Sequence, residues 1–123
     1  MHLLVALDLS TATERTLATA IALARPADAS VHLLHAAAAE PDFVGYRVGS
    51  PTVRDQVASE HREAHRQIQV HAQSLRDLGI RATALLIQGP AAAVILGEAD
   101  RLAADFIVMA THGRTGLSRA FMG

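Results

Sequence analysis

The sequence predicts an α/β domain, with helices layered on a parallel sheet. Three observations predict it. Short apolar runs recur at strand length, stretches with helical spacing lie between them, and turn-forming residues mark the joins. The chain has 123 residues, one domain's worth. Half of them are apolar, which suits a packed core and excludes general disorder.

The first run, Leu3-Leu4-Val5-Ala6-Leu7, ends at Asp8. It does not alternate, so it reads as a strand buried on both faces. A helix is expected over 12–24, where Leu17, Ala20, Ile21 and Ala24 share a face. Ser10 or Thr11 would cap it and Pro26 would lie beyond its end. A second strand is expected over Val31 to Ala36. From Ala37 to Pro51 no period holds, and Pro41, Gly45, Gly49 and Pro51 mark a mobile loop. Residues 52–78 read as a long helix, with Val53, Val57, Ala64, Ile68, Leu75 and Leu78 on one stripe and Gly79 just past its end. At 1.5 Å per residue it would span about 40 Å. A third strand is expected over Ala82 to Ile87, then a break at Gly89-Pro90. The helix that follows would turn Val94, Ile95, Ala99 and Leu102 inward. Phe106-Ile107-Val108-Met109 is the clearest strand of the four. Strands that alternate with helices form βαβ units, which demand a parallel sheet.

Composition removes several functional classes. There is no cysteine, hence no disulfide scaffold, thiolate zinc site or cysteine nucleophile. All 11 basic residues are arginine, so a Walker lysine and a Schiff-base lysine are excluded. The net charge is −1 and only four residues are aromatic, Phe43, Tyr46, Phe106 and Phe121, so no nucleic-acid partner is expected. No apolar run reaches the roughly 20 residues that cross a bilayer, and no signal peptide is legible. A cytoplasmic protein without a membrane partner is the expectation. Seven histidines make the charge sensitive to mild acid, since protonating them all moves it from −1 to +6.

In an open parallel sheet, ligands bind beyond the carboxyl ends of the strands, where the strand order reverses. Asp8, Ala36 and the segment from Met109 to Gly113 would gather there. Asp8 either binds a ribose hydroxyl or caps the turn that follows. Gly113, Gly116 and Gly123 follow a strand and bracket a turn into a helix, which lets backbone N–H groups approach phosphate. Arg114 would add a bidentate phosphate contact. Bare glycines after a strand also serve simply as turns. The spacing is neither Walker A nor GxGxxG.

At these residues the chain resembles the universal stress protein family. The resemblance rests on Leu3-Leu4-Val5-Ala6-Leu7-Asp8-Leu9-Ser10, on Val31-His32-Leu33-Leu34-His35-Ala36, on Pro90-Ala91 with Ala104-Asp105-Phe106-Ile107-Val108-Met109, and on the stretch from Ala110 to Arg119 followed by Gly123. It covers the whole chain. The nucleotide-binding branch of that family carries a motif of glycine, two residues, glycine, nine residues, glycine, then serine or threonine. Gly113 and Gly123 match its second and third glycines, Ala110 stands at the first, and the chain ends before the hydroxyl residue. The resemblance implies a Rossmann-like, adenine nucleotide alpha hydrolase-like three-layer sandwich with strand order 3-2-1-4. Its fifth strand and last helix would lie beyond Gly123, so that residues 1–123 form one domain lacking its final edge. It implies ATP or another adenine nucleotide as ligand, with magnesium as a candidate companion ion. Leu7 and Ala36 would offer backbone groups to adenine, and Asp8 would contact the ribose or adenine end. Gly113, Arg114 and Gly123 would cradle phosphates, beside Met109, Ala110 and His112. His112 either touches phosphate or shapes the turn. A homodimer is implied too, and a regulatory protein partner that the sequence does not name.

Other constellations read as structural. His61 and His65 are four apart with Glu60 and Glu63 near, but the order is His-Arg-Glu-Ala-His and Arg62 and Arg66 interrupt it. A solvated charged face is expected there rather than a metal site. Ser118 lacks an identifiable base. The expected function is therefore a nucleotide-responsive stress regulator with at most slow ATP hydrolysis and no assigned catalytic residue. The alternatives are a nucleotide-free interaction module of the same family and, last, an enzyme cleaving ATP between its α and β phosphates. That enzyme's glycine-rich loop is missing after Asp8.

Overall fold

The computed structural model describes residues 1–37 and 51–110, and the backbone alone of residues 51–55 and 57. The elements follow the order β1 (His2–Ala6), α1 (Thr13–Ala27), β2 (Ser30–Ala37), α2 (Pro51–Asp77), β3 (Ala82–Gln88), α3 (Ala91–Arg101) and β4 (Phe106–Met109). All strand pairs are parallel and the sheet order is β3-β2-β1-β4, as expected. The expected loop falls outside the described residues except at its two ends.

β1 is the middle of the fold. Leu3, Leu4 and Val5 are 0% exposed, which accounts for a run with no alternation. Leu3 and Val5 join Leu17, Ala20, Ala24, Ile68, Ala72 and Leu75 in a core shared with α1 and α2. Leu4 joins Leu34 and Ile95 in a smaller core under α3, with Leu85, Ile87 and Ile107 packed against it. The result is three layers: α1 and α2, the sheet, then α3. Each buried leucine or isoleucine contributes about 1.5–3 kcal/mol through removal of apolar surface from water.

Several boundaries differ from the sequence reading. Pro26 lies inside α1 rather than beyond it, as its next-to-last residue, so the ladder bond it cannot donate is lost only at the helix end. Neither Ser10 nor Thr11 is the N-cap; Ala12 is, with no side-chain cap. Ser10 works one turn earlier: its Oγ accepts from Ala12 N–H at 3.2 Å and its carbonyl from Thr13 N–H at 3.1 Å. Pro90 is the N-cap of α3, in extended conformation, following Gly89 at φ 144°. Leu78 is 47% exposed and leaves the expected stripe; Ile68, Ala72 and Leu75 carry the contact instead. Val53 and Val57 lie outside the described side chains. Phe106 is 55% exposed, because β4 is an edge of the described sheet.

The three described helices end in the same way. Ala29 N–H reaches Ala24 O, Ile80 N–H reaches Leu75 O, and Ala104 N–H reaches Ala99 O. Each closing residue is left-handed: Asp28 at φ 52°, Gly79 at 84° and Ala103 at 53°. This is the Schellman arrangement, and only glycine adopts its αL residue without steric cost. Ala103→Gly should therefore raise the unfolding free energy by about 1 kcal/mol, read by urea titration. A variant no more stable than the parent would show that the αL residue carries no strain.

Candidate functional site

The strand order reverses at β1: the chain steps from β1 to β2 to β3, then crosses back to β4 on the other side. At the carboxyl ends Ala6 is flanked by Leu34 and by Met109. Asp8 follows two residues later and is exposed, while Ala110 follows Met109 and is half-buried. Asp8, Met109, Ala110 and Ala36 therefore meet at one end of the sheet. His112, Gly113, Arg114 and Gly123 lie outside the described residues.

The turn after β1 is heavily tied. Leu7 N–H donates to Leu34 O at 2.8 Å, which extends the ladder one step. The Leu7 carbonyl accepts from His35 Nδ1, also at 2.8 Å. A carbonyl only accepts, so Nδ1 carries the proton. Both backbone groups of Leu7 are thus engaged, and a ligand at this residue has only the second lone pair of the carbonyl. Ala36 differs. Leu34 turns its carbonyl towards β1, and by the two-residue period of a strand Ala36 turns its backbone the same way, past the end of β1.

Asp8 fills the turn-capping role. Its Oδ1 accepts from Ser10 N–H at 3.0 Å, which closes the turn, while the side chain stays exposed. Leu9, between them, sits at φ 59°. A bulky non-glycine residue in this region costs on the order of 1–3 kcal/mol, and such strain concentrates at functional sites. Leu9 packs partly against the main core, which helps to hold it there.

Sequence reasoning left out the α1 side of this region. A cleft of about 230 Å³ is lined by Ala12, Arg15, Thr16 and Thr19 of α1 and its lead-in, and by Val108, Met109 and Ala110. Positions 12, 15, 16 and 19 recur at helical spacing, so a face was legible; that it meets the end of β4 was not. His35 was visible in the sequence, but its bond to Leu7 needs the pairing of β1 with β2.

The histidines of α2 do not build a metal centre. Glu63 is bound by Arg66 and by Gln67 on its own helix, which holds its carboxyl well down, to about 2. His61 meets Gln88 at 3.3 Å and His65 meets Gln69 at 3.4 Å. Among the described residues no group of three or more histidine, aspartate or glutamate side chains converges on a metal position. Among them, too, no helix is long and apolar enough to cross a membrane.

The model of the universal stress protein family matches residues 1–123. The chain belongs to the universal stress protein family. No curated protein sequence matches it. Solved structures do. UspA from Lactobacillus plantarum superposes with a TM-score of 0.76 at 18% identity, over 97% of this chain and 82% of that one. A family protein from Burkholderia pseudomallei gives 0.69 at 22% identity, over 98% and 89%. A universal stress protein from Archaeoglobus fulgidus DSM 4304 gives 0.65 at 19% identity over 99% of this chain, which spans only 37% of that protein. At such identities the likeness establishes the shared fold.

The His35–Leu7 bond can be tested directly. His35→Leu leaves the Leu7 carbonyl without that donor and should cost about 1–2 kcal/mol in urea unfolding. His35→Asn, which can still donate, should cost less. Equal stability of the leucine variant and the parent would mean that the bond does not hold the turn.

Proposed function

We propose that this protein binds ATP or a related adenine nucleotide across the carboxyl ends of β1, β2 and β4, and acts in the cytoplasm as a nucleotide-responsive regulator of stress response. The observation that carries the reading is Asp8: an exposed carboxylate at the point of strand reversal, on a turn pinned through Ser10, Leu7 and His35. One oxygen of Asp8 holds the turn, and the carboxylate has capacity left for a ribose hydroxyl. Ala36 backbone groups suit an adenine edge. Phosphates would then fall to the stretch from Ala110 to Gly123, with Gly113 and Arg114 in the matching motif positions. Magnesium, where bound, would neutralise phosphate charge. No residue is assigned as a base for attacking water, so any hydrolysis would be slow.

Homodimer formation, which the family resemblance implies, belongs to the same proposal. One observation favours a second reading, a nucleotide-free module that acts through protein partners: Ala110 stands where the motif has its first glycine.

Calorimetric titration of ATP with magnesium into the folded protein separates the two. Binding is expected, with Asp8→Ala weakening it by about tenfold, the value of one hydrogen bond to a charged group. Gly113→Val should abolish it. Absence of heat at millimolar ATP, with the fold verified by circular dichroism, would overturn nucleotide binding and leave the interaction module.

A further inference from the structure

The opposite end of the sheet carries a second polar cluster. His2 opens β1 and His32 lies in β2, two register positions on from the His2–Ser30 pair and so on the same face of the sheet. Their rings stack with centroids 5.3 Å apart and planes inclined by 28°. His2 Nδ1 lies 3.1 Å from His32 Nε2, and His32 Nδ1 lies 3.0 Å from Thr83 Oγ1 on β3. A chain of polar atoms thus runs across three strands, on the face that carries α3. The apolar core of that face, around Leu4, Leu34 and Ile95, does not include these residues.

Proton counting gives this chain a property that neither ring has alone. Two nitrogens 3.1 Å apart hold one hydrogen between them. A neutral pair meets this condition. A pair with one added proton meets it as well, because the outer nitrogens accept the extra hydrogen. A second added proton places hydrogen on both facing nitrogens and two like charges at stacking distance. The folded pair therefore accepts one proton readily and resists the next. In the unfolded chain two separate imidazoles titrate independently near pH ~6.5.

We propose that His2 and His32 form an acid-sensitive latch that ties the amino-terminal ends of β1, β2 and β3 and is broken by the second proton. The surrounding charges are mixed. Asp105, before β4, accepts from the His2 backbone N–H at 2.8 Å and places a carboxylate beside the pair. Arg101 of α3 opposes protonation, although Glu98 pairs with that arginine at 2.7 Å. Arg81, just before β3, is engaged with Ser30 and Asp28. The Met1 amine adjoins His2 in sequence. Partial burial, then His2, then Arg101 depress the proton affinity of His32. A histidine held below its ordinary value gives stability that is full above that value and lost as pH falls through the depressed one. The latch thus weakens the fold on the acid side of about pH 6.5.

The test is urea unfolding of the parent, His2→Gln and His32→Gln from pH 7.5 to 4.5. One proton fewer bound in the folded pair raises the unfolding constant about tenfold per pH unit below the unfolded value. The parent should show that excess between about pH 6 and 5 over both variants, which lack the paired imidazoles. The five other histidines titrate in all three proteins and cancel in the comparison. His2 is exposed, so His2→Gln gives a folded variant even where His32→Gln does not. Parallel pH slopes in parent and variants would overturn the latch. So would ring titrations by NMR in which both imidazoles of the folded protein protonate near their ordinary value.

Discussion

Burial of β1 on both faces is the constraint on which the rest of this structure depends. Leu3, Leu4 and Val5 have no contact with solvent, and their side chains seed the two cores on either side of the sheet. A strand in that position must have a neighbour on each edge, and it has β2 on one and β4 on the other. A central first strand also forces the chain to reverse its direction of travel across the sheet. The crevice at its carboxyl end follows from that reversal, not from any residue chosen for binding.

The two ends of β1 meet different chemistry. The carboxyl end runs out of ladder partners at Leu7, so a side chain, His35, supplies the donor for the last carbonyl. The chain then turns through a left-handed leucine and presents Asp8. The amino-terminal end has imidazoles in the places where leucines stand further along. Both arrangements cross between β1 and β2, and both involve histidine, but the proton logic differs. At His35 the partner is a carbonyl, so addition of a proton to the ring leaves the bond intact. At His32 the partner is another imidazole, and the bond depends on how many protons the two share.

The helices show how little local sequence is needed to stop a helix when the sheet dictates where the next strand begins. Asp28, Gly79 and Ala103 adopt one conformation, and only the glycine is suited to it. The following residues, Ala29, Ile80 and Ala104, turn back onto the helix; Ala29 and Ile80 then enter the main core and Ala104 packs against the smaller one. Their burial offsets the backbone cost at Asp28 and Ala103.

Much of this was legible in the sequence. The four strands, the three helices and the parallel sheet follow from apolar runs and helical spacing, because both periods are properties of the backbone itself. The family likeness carried the strand order. Gly79 marked the end of α2, and Asp8, Ala36 and Met109 were placed at strand ends by counting alone. The tertiary structure decided what counting cannot reach. It set Pro26 inside α1, made Ala12 rather than Ser10 the cap, and left Phe106 and Leu78 exposed. It also paired His35 with Leu7 and His2 with His32, across 28 and 30 residues of chain. Local periodicity says which face a residue occupies along its own element. Which atoms lie opposite it depends on the register between strands distant in sequence, and that is settled only when the core packs.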